Sequence, residues 1–383
     1  MSTALASTSV AAASPRTEAA LADADWTIRE IVQQPDVWEA TLKNLEVRRA
    51  ELRSWLDPLL ARPGLRIILT GAGTSAYAGE MLAPALTRRL GRQVEAIATT
   101  DIVGSPLQHL LADVPTLLIS YARSGSSPES AAAFELAERL VTDCHHLVLC
   151  CNQDSALVRA AEAAADAKCI FMPTAALDRG FAMTSSFTSM VLTTLALFIP
   201  DRDQAETVIA AVRALLAAPS APCIELVGQG FLRVAFLGSG CLNGLATEAA
   251  LKMLELSAGR TGCYSESALG FRHGPKFVVD GRTAVVLLTS PDPHTRKYDL
   301  DIFEELRNDA VARAVVRLDE LDCLRGVQLT EEWVGLVYIV WCQLLAYRNS
   351  QAGGNTPDNP CPSGQVNRVV QGVHIHAFDG MFE

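Results

Sequence analysis

The chain has 383 residues, 49 % hydrophobic and 20 % charged, the balance of a well-buried globular protein long enough for two domains. A formal charge of −11 argues against nucleic acid or an anionic membrane as a partner, because both attract clustered lysine and arginine. Ten cysteines without a C-x-x-C pair point to reduced thiols of a cytoplasmic protein rather than to a disulfide framework or a zinc site.

Residues 1–24 are Ala/Ser-rich and lack the basic start and apolar core of a signal peptide, so they are expected to form a disordered tail. No apolar run reaches membrane-spanning length without a charge or a breaker. Residues 25–62 read as N-terminal helices broken by Pro35. From 63 to 214, the runs RIILTG, QVEAIAT, TLLISY, HLVLCC and CIFMP alternate with helical stretches, the pattern of buried parallel strands. An Ala/Pro-rich boundary follows near residues 215–223, and residues 223–383 form a second unit with a C-terminal tail. RVAFLGSGCLNGLATE (233–248) repeats the strand, Gly-x-Gly turn and helix onset of RIILTGAGTSAYAGE (66–80), with Gly238 and Gly240 matching Gly71 and Gly73. The expected fold is α/β: two tandem doubly wound, flavodoxin-like parallel sheets of about five strands each, preceded by helices.

Open parallel sheets bind ligands beyond the carboxyl ends of their strands, where helix N-termini present unpaired amides. Three polar clusters fall at such ends. One supplies Gly73, Thr74 and Ser75, the next Arg123, Ser124, Ser126 and Ser127 around Gly125, and the third Thr184, Ser185 and Ser186. Singly, each reads as a helix N-cap; together, at successive strands of one sheet, they suit a phosphate monoester. A dinucleotide fits less well, since Asp101 lies too far along the chain and the second serine loop would obstruct it.

In TEAALKMLELSAG, Glu248, Lys252 and Glu255 stand at i, i+4 and i+7 on one helical face, directly after the Gly238 turn. Such a trio is usually a solvated face, but this one borders the predicted cleft. FRHGPK then exposes His273. The set suits proton shuttling beside a carbonyl. A histidine near neutrality opens the sugar ring, a carboxylate moves a proton from C2 to C1, and a cation steadies the enediol or enolamine.

TGAGTSAYAGE, SYARSGSSPES and TEAALKMLE with FRHGP resemble the phosphosugar-binding and catalytic segments of the sugar isomerase (SIS) domain family, notably the isomerase half of glucosamine-6-phosphate synthase. The likeness runs from about residue 45 onward. The C-terminal NTPDNPCPSGQVNRVVQGVHIH is similar to the AgaS-type subgroup, described both as galactosamine-6-phosphate deaminase/isomerase and as tagatose-6-phosphate ketose/aldose isomerase. The resemblance implies Glu255 as the C1–C2 proton-transfer base, Glu248 and Lys252 as its assistants, and His273 opening the ring in the site of a partner subunit. It also implies a sugar phosphate substrate, a homodimer or higher homo-oligomer, and no metal or organic cofactor.

Two positions depart from the synthase. Arg123 replaces a glutamine of its serine loop, and Gln371 falls where its Schiff-base lysine is expected, with Arg368 the basic residue nearby. No glutamine-hydrolysing domain is expected ahead of the first sheet. Amination is therefore disfavoured. The leading expectation is conversion of galactosamine 6-phosphate to tagatose 6-phosphate and ammonia; the alternatives are isomerisation without nitrogen loss and a non-catalytic phosphosugar-binding regulator. His374 and His376 share one face of an expected terminal strand and read as an exposed edge rather than as metal ligands.

Overall fold

The computed structural model describes residues 25–217, 221–370 and 372–380; the expected N-terminal tail, part of the boundary and Gln371 lie outside the described residues. Helices α1 (Trp26–Val32) and α2 (Gln34–Leu60) meet at Gln33. Pro35 lies in the first turn of α2, where a missing N–H removes no intrahelical bond.

The first sheet is built by β1 (Arg66–Thr70), α3 (Thr74–Leu90), β2 (Val94–Ala96), α4 (Thr99–Gly104), β3 (Thr116–Ala122), α5 (Pro128–Leu140), β4 (Cys144–Cys150), α6 (Ala156–Ala163) and β5 (Ala167–Phe171). All pairings are parallel, in the order β2-β1-β3-β4-β5. β3 is buried at every position, as a central strand covered on both faces must be. Helices α7 (Ser185–Phe198), α8 (Arg202–Ala217) and α9 (Ala221–Gly228) lead to the second unit. α7 is buried along its whole length and packs against α2 and α3.

The second unit comprises β6 (Arg233–Gly238), α10 (Cys241–Leu256), β7 (Gly262–Glu266), β8 (Thr283–Leu288), α11 (Thr295–Asp309), β9 (Ala314–Arg317) and α12 (Glu331–Ala352). Among the described residues its parallel sheet has four strands, β7-β6-β8-β9, rather than the expected five or so. The difference arises because the chain enters the long buried helix α12 after β9 and then leaves this unit. Gly73 (φ 55°, ψ −127°) and Gly240 (φ 58°, ψ −129°) adopt the same left-handed conformation at equivalent turns, the backbone counterpart of the sequence repeat.

The tail assigned to the second unit runs back over the first as an irregular strap. Asp358 accepts the Trp26 and Thr27 amides at 2.8 Å, capping α1, and Phe378 packs against the cluster containing Ile102 and Leu110 beneath the Arg139 guanidinium. His374 and His376 lie exposed in this strap and not in a strand. One apolar core joins the facing layers of both units through α2, α3, α7, α10 and α12. α3 crosses α10 at Gly244, where a Cβ would stand 2.5 Å from the Met81 nitrogen; only glycine lets the helices approach so closely. Among the described residues no helix is long and apolar enough to cross a membrane.

Candidate active site

The close crossing of α3 and α10 brings the first residue of α3 beside the buried charges of α10. Lys252 Nζ lies 2.9 Å from Thr74 Oγ1, 2.5 Å from Glu255 Oε2 and 3.5 Å from Glu248 Oε1. The last distance is too long for a strong hydrogen bond. Lys252 and Glu248 are fully buried, and the Glu255 side chain is 23 % exposed.

Burial disfavours the Lys252 ammonium, but the two neighbouring carboxylates outweigh it and raise its proton affinity. Burial, reinforced by Glu255 against the pull of Lys252, pushes the Glu248 carboxyl up to about 8. Near neutrality the favoured state therefore has Lys252 charged and Glu248 carrying a proton. The Lys252 cation is left to balance Glu255, the one member of the trio that reaches the cavity.

That cavity, about 870 Å³, opens beyond the carboxyl ends of β1 and β3. Gly73, Thr74 and Ser75 line it from the first loop, Arg123, Ser124 and Ser127 from the second. Gly125 between them has φ 61°, and a Cβ there would collide with Ser155 Oγ at 2.3 Å, so the loop's shape depends on glycine. Arg123 donates from Nη1 to the Phe181 carbonyl (3.2 Å) and from Nη2 to the Arg368 carbonyl (2.7 Å).

Four predicted site residues are not gathered here. Ser126 is exposed outside the cavity, its hydroxyl near the Ser124 carbonyl (3.3 Å). Thr184 and Ser185 are fully buried, and their donors are engaged within the protein. Asp178 accepts from the Thr184, Ser185 and Ser186 amides at 2.8, 3.0 and 2.9 Å and from Thr184 Oγ1 at 3.0 Å, while Ser185 Oγ donates to the Glu30 carbonyl. The cluster is the N-terminus of α7 capped by an internal carboxylate, which corrects its assignment to the substrate. His273 follows a short 3-10 turn and is exposed outside its own chain's cavity, on the same loop as Phe277, which is 98 % exposed.

The strap was missed as a wall of the site. Cys361, Val366 and Arg368 line the cavity opposite the loops. The turn-forming residues of CPSGQVN announce an irregular segment but not where it packs. A group unrelated to the cavity, Glu138, Cys144 and His146, brings three ligating atoms within 4.8 Å of one another at the amino end of β4. There His146 Nε2 is 2.7 Å from the Glu138 carboxylate, the contact of an ordinary buried imidazole.

The SIS domain family matches residues 59–200. The D-galactosamine-6-phosphate deaminase AgaS of Shewanella sp. (strain ANA-3) is 47 % identical over 356 residues, 92 % of each chain. The chain belongs to the AgaS group of the SIS domain family. The D-galactosamine-6-phosphate deaminase AgaS of Escherichia coli is 42 % identical and aligns over 94 % of this chain and 98 % of its own. The crystal structure of the tagatose-6-phosphate ketose/aldose isomerase from Escherichia coli superposes with a TM-score of 0.82 at 38 % identity, covering 95 % of this chain and all of that one. Membership of this group rests on both units and the strap together, since these alignments span nearly the whole chain.

Proposed function

We propose that the protein is an aldose-ketose isomerising deaminase that converts galactosamine 6-phosphate and water to tagatose 6-phosphate and ammonia. The observation that carries this reading is Glu255 at the cavity surface, ion-paired to a fully buried Lys252 that also donates to Thr74 of the phosphate-side loop. A carboxylate is thereby held at a defined distance from a pocket of hydroxyls.

The phosphate rests among Thr74, Ser75, Ser124 and Ser127 with Arg123 at its side. His273 of a second copy shuttles the proton between ring oxygen and hydroxyl that opens the pyranose; its exposure away from its own cavity supports a role across subunits, and so a homodimer or larger assembly. Glu255 then takes the C2 proton and returns it to C1. Lys252, through Glu255 and Thr74, steadies the enolamine. Protonation at C1 leaves a ketimine at C2, and water releases the ketose and ammonia.

A second reading on the same residues is isomerisation without loss of nitrogen, favoured by the name of the Escherichia coli structure. Purified protein mixed in turn with galactosamine 6-phosphate and with tagatose 6-phosphate, assayed for ammonia and for ketose and aldose, separates the two. Ammonia in step with tagatose 6-phosphate is expected. Interconversion of tagatose 6-phosphate and its aldose with no ammonia would replace the first reading by the second, and saturable binding with no turnover of either would overturn both in favour of a regulator.

A further inference from the structure

Two guanidinium groups stand in the cavity wall, and among the described residues neither pairs with a carboxylate. Arg123, 7 % exposed, is held by the carbonyls of Phe181 and Arg368. Arg368, on the strap, donates in turn to the carbonyl oxygen of Asp178. The Asp178 carboxylate is already engaged in capping α7. By contrast Arg66, Arg213 and Arg233, all outside the cavity, pair with acidic side chains. Burial and the charge of Arg368 disfavour the Arg123 cation more than the carboxylates of Asp178 and Glu255 favour it. Neutral carbonyls hold such a pair in place but do not balance its charge. A guanidinium has five donors, so Arg123 keeps several beyond its two carbonyl bonds.

We propose that Arg123 and Arg368 form a two-guanidinium clamp on the phosphate of the bound sugar, so that the ligand itself fastens the C-terminal strap over the cavity. The inference rests on the phosphosugar reading above and adds to it a binding residue far along the chain from the phosphate loops. The carbonyl bonds present without ligand preorganise the fork, and a dianion between the two groups replaces repulsion by paired charge-assisted hydrogen bonds.

The test uses the full chain, with inorganic phosphate and galactosamine 6-phosphate as probes and galactosamine as the control lacking phosphate. Calorimetry reads affinity, and hydrogen exchange reads the amides of residues 360–370. Both phosphate-bearing probes are expected to slow exchange in the strap, and galactosamine to leave it unchanged. Arg368→Gln should weaken both phosphate-bearing probes about ten- to a hundredfold and abolish the strap protection, while Arg368→Lys, which keeps the charge without the fork, recovers part of each. Tight phosphate binding by Arg368→Gln, or strap exchange indifferent to phosphate in the unaltered protein, would overturn the clamp. A clamp that behaves as expected in a protein yielding neither ammonia nor ketose would sink the functional reading alone.

Discussion

At the Gly73 turn, Thr74 and Ser75 face an open cavity, whereas at the equivalent Gly240 turn the space is taken by the protein's own carboxylate. Glu331, the first residue of α12, accepts from the Cys241 amide at 3.3 Å and from Ser290 Oγ at 2.6 Å, and a Cβ on Gly240 would meet its Oε2 at 2.7 Å. Asp299 completes the plug by accepting from Ser239 Oγ at 2.9 Å and the Ser290 amide at 2.8 Å. The two turns share backbone angles and differ in occupant. A strand-turn-helix unit creates an attraction for negative charge, but the surrounding side chains decide whether the space stays open or a half-buried glutamate of the chain itself answers it.

The sharpest way to break this contrast is at the open turn. On the proposed role of Glu255 in proton transfer rather than in binding, Glu255→Gln is expected to lower kcat by about 10²- to 10⁴-fold while phosphosugar affinity stays within several-fold. Steady-state kinetics alongside calorimetry decide it, and an equal loss in both would mean that the roles are misassigned. Next in size, the double change Thr74→Ala with Ser124→Ala should raise KM about ten- to a hundredfold through loss of donors to a charged group.

At the plugged turn the expected effect is on stability instead. Glu331→Ala leaves the Cys241 amide and the Ser290 hydroxyl without their acceptor, and should cost about 1–3 kcal/mol in denaturant unfolding with kcat/KM changed less than about twofold. A large kinetic defect there would show that the second turn serves the chemistry after all.

The smallest effect is a pH dependence. Burial, with a nearby carboxylate adding to it, raises Glu30 and Glu248 from 4.5 to about 8. The folded protein thus keeps protons that the unfolded chain has released. Stability from the neutral forms is complete below about pH 4.5 and is lost as pH rises through about 8. The thermal midpoint should fall between about pH 6 and pH 9, and Glu248→Gln should flatten that slope; an unchanged slope would mean that Glu248 is not held protonated.

Much of this architecture was legible before any coordinates. The duplication was visible because a Gly-x-Gly turn is a local requirement of φ, written in adjacent residues, and Glu248, Lys252 and Glu255 were found because helical spacing alone puts them on one face. The failures have a common origin. The hydroxyls of Thr184 and Ser185 look the same in sequence whether they face a phosphate or an internal acid, and Asp178 precedes them without any periodic signal. Arg123 was recognised as a cation of the phosphate loop, but its partner Arg368 lies on a strap whose course depends on the distant contacts of Asp358 and Phe378. His273 lies exposed outside its own chain's cavity, and neither its spacing nor its neighbours in the sequence signal that placement.

The glycine-thin seam at Gly244 makes the duplicated halves depend on each other. Thr74 and Lys252 come from different copies, and their 2.9 Å contact survives only while that seam keeps its spacing. A side chain as small as a methyl group at that point would wedge the halves apart and pull a hydroxyl from its ammonium without touching either group. Neither half is therefore a smaller version of the whole: the contact between buried ammonium and hydroxyl belongs to the joint.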